Sequence, residues 1–132
     1  MASFLMICLD TNYLIRCVQP GSKEADRMQA WYRSREPMIA PMTAWFEFIC
    51  GPLTHDQEET ARAFLAEIVP FTESQAREAA RLFNAVDRRR SLRVDAMIAA
   101  TATVAGARLA TNNRADFLPF VSHGLTLIGS HE

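Results

Sequence analysis

The stretch 4-FLMICLDTNYLI-15 sets an acid and two small polar residues, Asp10, Thr11 and Asn12, inside an apolar run. Residues 3–9 are continuous and apolar over the length of one strand. That pattern predicts a strand buried on both faces, as in a parallel sheet. A carboxylate at the end of such a strand is costly to bury unless it is paired or binds a cation. Its simplest structural role is to cap the helical turn that follows.

Working outward, the chain alternates between strand and helix signals. Pro20 and Gly21 mark a turn, and a helix is expected from about Ser22 to Arg33. The segment 37-PMIAP-41 suits a short second strand. A short helix follows in 43-TAWFEFICG-51, with Thr43 near its start and Gly51 just beyond its end. Thr54 and Gln57 form a T-x-x-Q capping box that opens a helix over 54–68, with Ala61, Phe64, Leu65 and Ile68 on one face. Residues 69–71 suit a short strand. A second capping box, Thr72 with Gln75, opens a helix over 72–86. The alanine-rich segment 91-SLRVDAMIAATATVAG-106 predicts a helix able to approach a sheet closely, stopped by Gly106. Strands are expected at 107–111 and 125–128, separated by the polar 112-NNRAD-116. Alternation of this kind argues for one α/β domain over 1–132, with a small parallel sheet flanked by helices. Ligands in such sheets bind at the carboxyl ends of the strands, where Asp10 and the residues after Thr111 fall.

Bulk properties set limits. The 132 residues are 49% apolar, enough for a core, and the net charge of −1 gives no global basic field. Lys23 is the only lysine among 14 positive side chains; the rest are arginines, the better fork for phosphate. Cys8, Cys17 and Cys50 contain no CxxC pair and read as free, mostly buried thiols of a reducing compartment. No apolar run is long enough to span a membrane and no leader pattern opens the chain, so a cytoplasmic protein is expected.

Four acids stand in unusual settings. Asp10 ends the first strand. Glu47 is the only charge between Met38 and His55, on a helix so apolar that it should be largely buried, with Glu47 facing a cavity. Asp95 interrupts the first turn of the alanine-rich helix, where the helix dipole also favours an acid. Asp116 follows 111-TNNRA-115, in a place where acids are common in turns and at helix starts. Carboxylates sharing one site repel, so some must hold protons or share a cation. Hard oxygen ligands without a His or Cys cluster select Mg²⁺ or Mn²⁺, and His55, His123 and His131 lack zinc-type spacing. Such a site suits metal-assisted hydrolysis of a phosphodiester, by one ion or two. Arg88, Arg89, Arg90 and Arg93 are a candidate phosphate-binding patch, or else a solvated helix end. Trp31 and Tyr32 are candidates for base stacking, or core or dimer contacts.

The elements 9-LDTNYLI-15, 43-TAWFE-47 with Gly51, 94-VDAMIAATA-102 and 109-LATNNRADF-117, in this order, resemble the PIN domain, most of all VapC-type ribonuclease toxins of bacterial toxin–antitoxin pairs. The resemblance runs from about residue 5 to 128. It implies a three-layer α/β/α fold and an acidic quartet, Asp10, Glu47, Asp95 and Asp116, that binds Mg²⁺ or Mn²⁺ and activates water to cut RNA. It further implies site-shaping roles for Thr11, Thr111 and Asn113. Thr43 lies one turn before Glu47 and shares its face. The partners implied are an RNA substrate such as tRNA or rRNA, a VapB-like antitoxin and a second copy of the chain. Two places depart from the family's pattern: 87-DRRRSLRVD-95 lacks the usual glycine, and Pro52 follows Gly51.

Haloacid-dehalogenase-like phosphatases and response-regulator receivers also place an aspartate after the first strand. The first needs a second acid where this chain has Asn12, and both need a later lysine that is absent. The remaining alternatives are a PIN-like module that binds RNA or protein without cutting, and a PIN nuclease of RNA processing outside any toxin–antitoxin pair.

Overall fold

The computed structural model describes residues 6–129. Among these, four short strands form one sheet: β1 (Ile7–Leu9), β2 (Met38–Pro41), β3 (Glu67–Val69) and β4 (Arg108–Ala110). Their order is β3-β2-β1-β4, with every pairing parallel. The helices are α1 (Thr11–Cys17), α2 (Lys23–Arg33), α3 (Met42–Ile49), α4 (His55–Phe64), α5 (Glu73–Ala85), α6 (Arg93–Ala105) and α7 (Arg114–Val121), with a 3-10 turn at Arg90–Leu92. This is the expected α/β architecture of a small parallel sheet flanked by helices.

The apolar run that opened the chain is the centre of the molecule. Ile7, Cys8 and Leu9 have no exposed surface. Each large apolar side chain so buried contributes roughly 1.5–3 kcal/mol relative to exposure. Residues 3–5 of the expected strand lie outside the described residues, as does His131. Ala99, Ala100 and Ala102 of α6 are equally buried, because small side chains let that helix lie close in the core.

Local signals account for several helix ends. The Ser22 side chain accepts from the Ala25 N–H at 3.0 Å and starts α2. The Thr54–Gln57 capping box is closed in both directions, at 3.1 and 3.0 Å. Gly106 ends α6 in the left-handed region, at φ 67°, where a glycine carries no Cβ penalty. The second capping box is only half made. Thr72 accepts from the Gln75 N–H at 3.3 Å, but the Gln75 side chain turns inward and accepts from Thr101 Oγ1 at 2.7 Å. A buried bond that joins α5 to α6 takes precedence over a solvated one.

Other boundaries differ from expectation. The helix expected over 54–68 stops at Phe64, and the strand expected at 69–71 is Glu67–Val69. The Ala66 N–H donates to the Met38 carbonyl at 2.8 Å, so the edge of the sheet captures the last turn of that helical pattern. The segment 125–128 forms a single bridge, Leu109 to Leu127, instead of a full strand. The eight-residue helix α7 has no counterpart among the expected elements, where Asp116 stands in a turn or at a helix start. Pro119 lies inside it and cannot bond to Ala115, but Ala115 is exposed and water can satisfy its carbonyl. Phe117 and Phe120, both without exposed surface, hold the helix in place.

Candidate active site

Asp10 sits where β1 leaves the sheet and α1 begins. Its N–H donates to the Ala110 carbonyl at 3.0 Å, which carries the β1–β4 pairing one residue further. Its Oδ1 accepts from the Thr11 N–H at 2.8 Å, so Asp10 does cap α1. Its Oδ2 accepts from Thr111 Oγ1 at 2.6 Å, a bond across 101 residues that no cap requires. The carboxylate is only 4% exposed. The Thr111 hydroxyl in turn accepts from the Asn113 N–H at 2.9 Å, which shapes the turn before α7. The Asn113 contribution is therefore made by its backbone.

Glu47 corrects an expectation. Helix α3 buries Ala44, Trp45 and Phe48 but leaves Met42, Phe46 and Ile49 exposed, and Glu47 lies on the exposed side. An apolar sequence all round the helix is here an apolar surface on one side. Glu47 is nonetheless tied to the first acid's neighbour: Thr11 Oγ1 donates to Glu47 Oε1 at 2.8 Å. Thr43 and Glu47, one turn apart, line the same apolar cleft.

Asp95 lies in the first turn of α6 and Asp116 in the first turn of α7. The first is half-buried and the second exposed. Burial pushes the Asp95 carboxyl up to about 6, with further repulsion from Asp10, Asp116 and Glu47. The Asp10 carboxyl is also raised, by burial first; the hydrogen bonds from Thr111 and Thr11 oppose this, and Glu47 and Asp116 add to it. The four acids thus act on one another across four separate elements.

A raised carboxyl pKa has a definite consequence for stability. Between its ordinary value of 3.8 and about 6, Asp95 binds more proton in the folded than in the unfolded chain. Its contribution to stability therefore falls as pH rises through this window and levels off above it. Without added metal, Asp95→Asn should stabilise the protein at pH 7.5 by roughly 1 kcal/mol, allowing for solvent screening of a half-exposed group. The gain should shrink towards zero near pH 4. Thermal melts at both pH values in chelator check this, and equal melting temperatures at pH 7.5 would refute it.

The donor chemistry fits a hard divalent cation: four carboxylates, two of them, Asp10 and Asp95, raised in pKa by burial first and by repulsion from the other acids second. Among the described residues no three His, Cys, Asp or Glu side chains are grouped as a ready-made metal cage. Mg²⁺ does not need one, since it keeps several waters and uses one or two carboxylates directly. Asp10, with its orientation fixed on both oxygens, and Asp95, pressed by the other three, are the residues best suited to direct contact. Glu47 and Asp116, both exposed, suit contact through water.

The arginine run leads directly into α6. Arg88 donates to Asn84 Oδ1 at 2.7 Å and lies over the Phe83 ring, and Arg89 Nε donates to the Val86 carbonyl at 3.4 Å. Arg90 opens the 3-10 turn and Arg93 opens α6, two residues before Asp95; all four are exposed. Trp31 is a core residue stacked on Tyr13 at 5.9 Å, whereas Tyr32 is 59% exposed with its edge to Phe64. Cys8 and Cys17 are buried, with thiols held protonated by burial, and Cys50 is exposed. No described helix is long and apolar enough to cross a membrane.

Two residues near the site were not singled out by sequence. Glu24, in the first turn of α2, is 3% exposed, and it accepts from Asn112 Nδ2 at 3.0 Å. In sequence it is an ordinary acid at a helix start.

A parallel sheet of order β3-β2-β1-β4 with acids converging from the ends of separate elements defines a class: α/β domains with a carboxylate site. The PIN domain family model matches residues 7–118, and the chain belongs to the PIN domain family. No curated protein matches it. Among solved structures it is similar to VapBC2 from Rickettsia felis bound to a DNA fragment from their promoter, with a TM-score of 0.73, 16% identity, and 94% of this chain and 98% of that one covered. It is similar to FitAcB from Neisseria gonorrhoeae, with a TM-score of 0.69, 21% identity and coverage of 94% and 97%. A toxin–antitoxin complex from Klebsiella pneumoniae is 25% identical, with a TM-score of 0.67 and coverage of 84% and 89%.

Proposed function

We propose that this PIN domain is a metal-dependent endoribonuclease, acting as the toxin of a toxin–antitoxin pair. The observation that carries the reading is the linkage of Asp10, Glu47, Asp95 and Asp116 from separate elements: Thr111 and Thr11 donate to Asp10, Thr11 donates to Glu47, and the charges of Asp10, Asp116 and Glu47 add to the burial that pushes the Asp95 carboxyl up to about 6. Acids that only capped helices would not need the long-range Thr111 bond to Asp10 or the Thr11 bond to Glu47. When bound, Mg²⁺ or Mn²⁺ supplies the Lewis acidity that activates water for attack on a phosphodiester. Thr111 and the Thr11 amide hold the Asp10 carboxylate in one orientation, and the Thr11 hydroxyl does the same for Glu47. Asp95, whose charge is opposed by burial and by the other acids, would be relieved by the cation it shares with Asp10. Arg88, Arg89, Arg90 and Arg93, all exposed in the run that leads into α6, suit the phosphates of an RNA such as tRNA or rRNA.

The toxin assignment is supported by similar structures that are toxin–antitoxin complexes, some with DNA, and implies a VapB-like antitoxin. A homodimer is supported by the cleft of about 400 Å³ beside Glu47. Exposed Met42, Phe46 and Val94 line it with Phe71 and Met97, an apolar surface suited to a second copy.

Purified protein incubated with total RNA should cut it with Mg²⁺ or Mn²⁺, but not with chelator and not as Asp10→Asn. Cleavage that survives both changes would sink the mechanism. In a bacterium lacking the antitoxin, wild type should arrest growth and Asp95→Asn should not. Equal growth of the two strains would count against the toxin.

A further inference from the structure

We propose that Glu24 and Asn112 are positioning residues for the Asp10 carboxylate, acting through the turn that carries Thr111. The inference rests on the nuclease reading for its functional meaning but on separate residues for its evidence. Glu24 is a buried carboxylate to which the chemistry of the site assigns no task. Its Oε2 accepts from Asn112 Nδ2 at 3.0 Å, which pins α2 to a residue 88 positions later. Asn112 is otherwise an exposed turn residue. It stands between Thr111, whose hydroxyl donates to Asp10 Oδ2, and Asn113, whose N–H donates to that same hydroxyl. The line Glu24–Asn112–Thr111–Asp10 therefore runs from the core to the first acid of the site.

Glu24 is 3% exposed and shares its neighbourhood with Tyr13, Arg27 and Arg114. The Tyr13 phenol feels the charges of Glu24, Arg27 and Arg114 together. The Tyr13 hydroxyl accepts from Arg27. Arg27 and Arg114 donate to the carbonyls of Gly129 and Ile128 at 3.0 and 2.6 Å. A buried side chain on a helix, with its neighbours tied in turn to the chain's last described residues, is a rigid anchor, whereas a turn held only by its own backbone opens readily. Groups that orient a metal ligand from behind change affinity when they are removed, typically by 10–100-fold.

The test uses the full chain and two variants. Asn112→Ala removes the bond at an exposed position and should fold. Glu24→Gln removes the charge but keeps an oxygen that accepts from Asn112. Mn²⁺ affinity, measured by calorimetry, should fall about tenfold in Asn112→Ala and stay within about twofold of wild type in Glu24→Gln. Independently of metal, the Thr11 and Asn113 amides should exchange with solvent roughly tenfold faster in Asn112→Ala, while the β1 amides are unchanged. Unchanged exchange and affinity in Asn112→Ala would overturn the proposal, as would an equal loss in both variants, which would point to charge and not position. A wild-type protein that does not bind Mn²⁺ would overturn the nuclease reading, and amide exchange would still decide the positioning.

Discussion

Asp10→Asn should slow metal-dependent RNA cleavage by roughly a thousandfold or more, because a cation-assisted step draws several kcal/mol from its ligands and each 1.36 kcal/mol is a factor of ten. The fold should survive. The asparagine Oδ1 can still accept from the Thr11 N–H. Its Nδ2 then faces Thr111 Oγ1, which now donates to Asp10 at 2.6 Å. A hydroxyl can rotate to accept from an amide in place of donating to a carboxylate. Removing a buried charge that Glu47 and Asp116 oppose should leave the metal-free protein at least as stable as wild type. Loss of cleavage with an equal or higher melting temperature separates a chemical role from a structural one. Single-turnover rates beside a thermal melt measure both. Wild-type cleavage by the variant would remove Asp10 from the chemistry.

That separation was partly legible in the sequence. A continuous apolar run ending in Asp-Thr-Asn says that a buried strand delivers a carboxylate to a sheet edge, and Asp10 is found there. Ser22, Thr54 and Gly106 mark helix ends through bonds made within four residues, so local sequence suffices. Failures occur where distant partners decide. Leu65 and Ile68 continue a helical pattern, but the Met38 carbonyl draws the chain into β3. Gln75 matches a capping box, yet its side chain is claimed by Thr101, 26 residues on. Glu47 sits among aromatic neighbours on both sides in sequence, but only one face of α3 meets the core. Glu24 has the appearance of any helix-start acid, and only the return of Asn112 makes it a buried anchor.

Phe117→Ala should have the largest effect on stability, about 3–5 kcal/mol, as is usual for a buried phenylalanine replaced by alanine. In a protein of this size that is a fall of roughly 10–20 °C in melting temperature, and a large part of a typical total stability of about 5–15 kcal/mol. Phe117 has no exposed surface and lies beside Phe120, with ring centroids 6.3 Å apart. These two rings are the apolar anchor of α7, a helix weakened by Pro119 and without a side-chain bond at its start. Asp116 precedes Phe117 directly and is exposed, so the ring that fills the core also fixes which way the acid can face. The two neighbours should therefore fail in opposite ways. Asp116→Asn, at the surface, should move the melting temperature little while reducing cleavage. Phe117→Ala should lose stability first and keep the acid's charge. Denaturant titration of both variants decides the point: an unchanged midpoint for Phe117→Ala would mean that α7 is held by something other than its aromatic pair, and the placement of Asp116 would then need another cause.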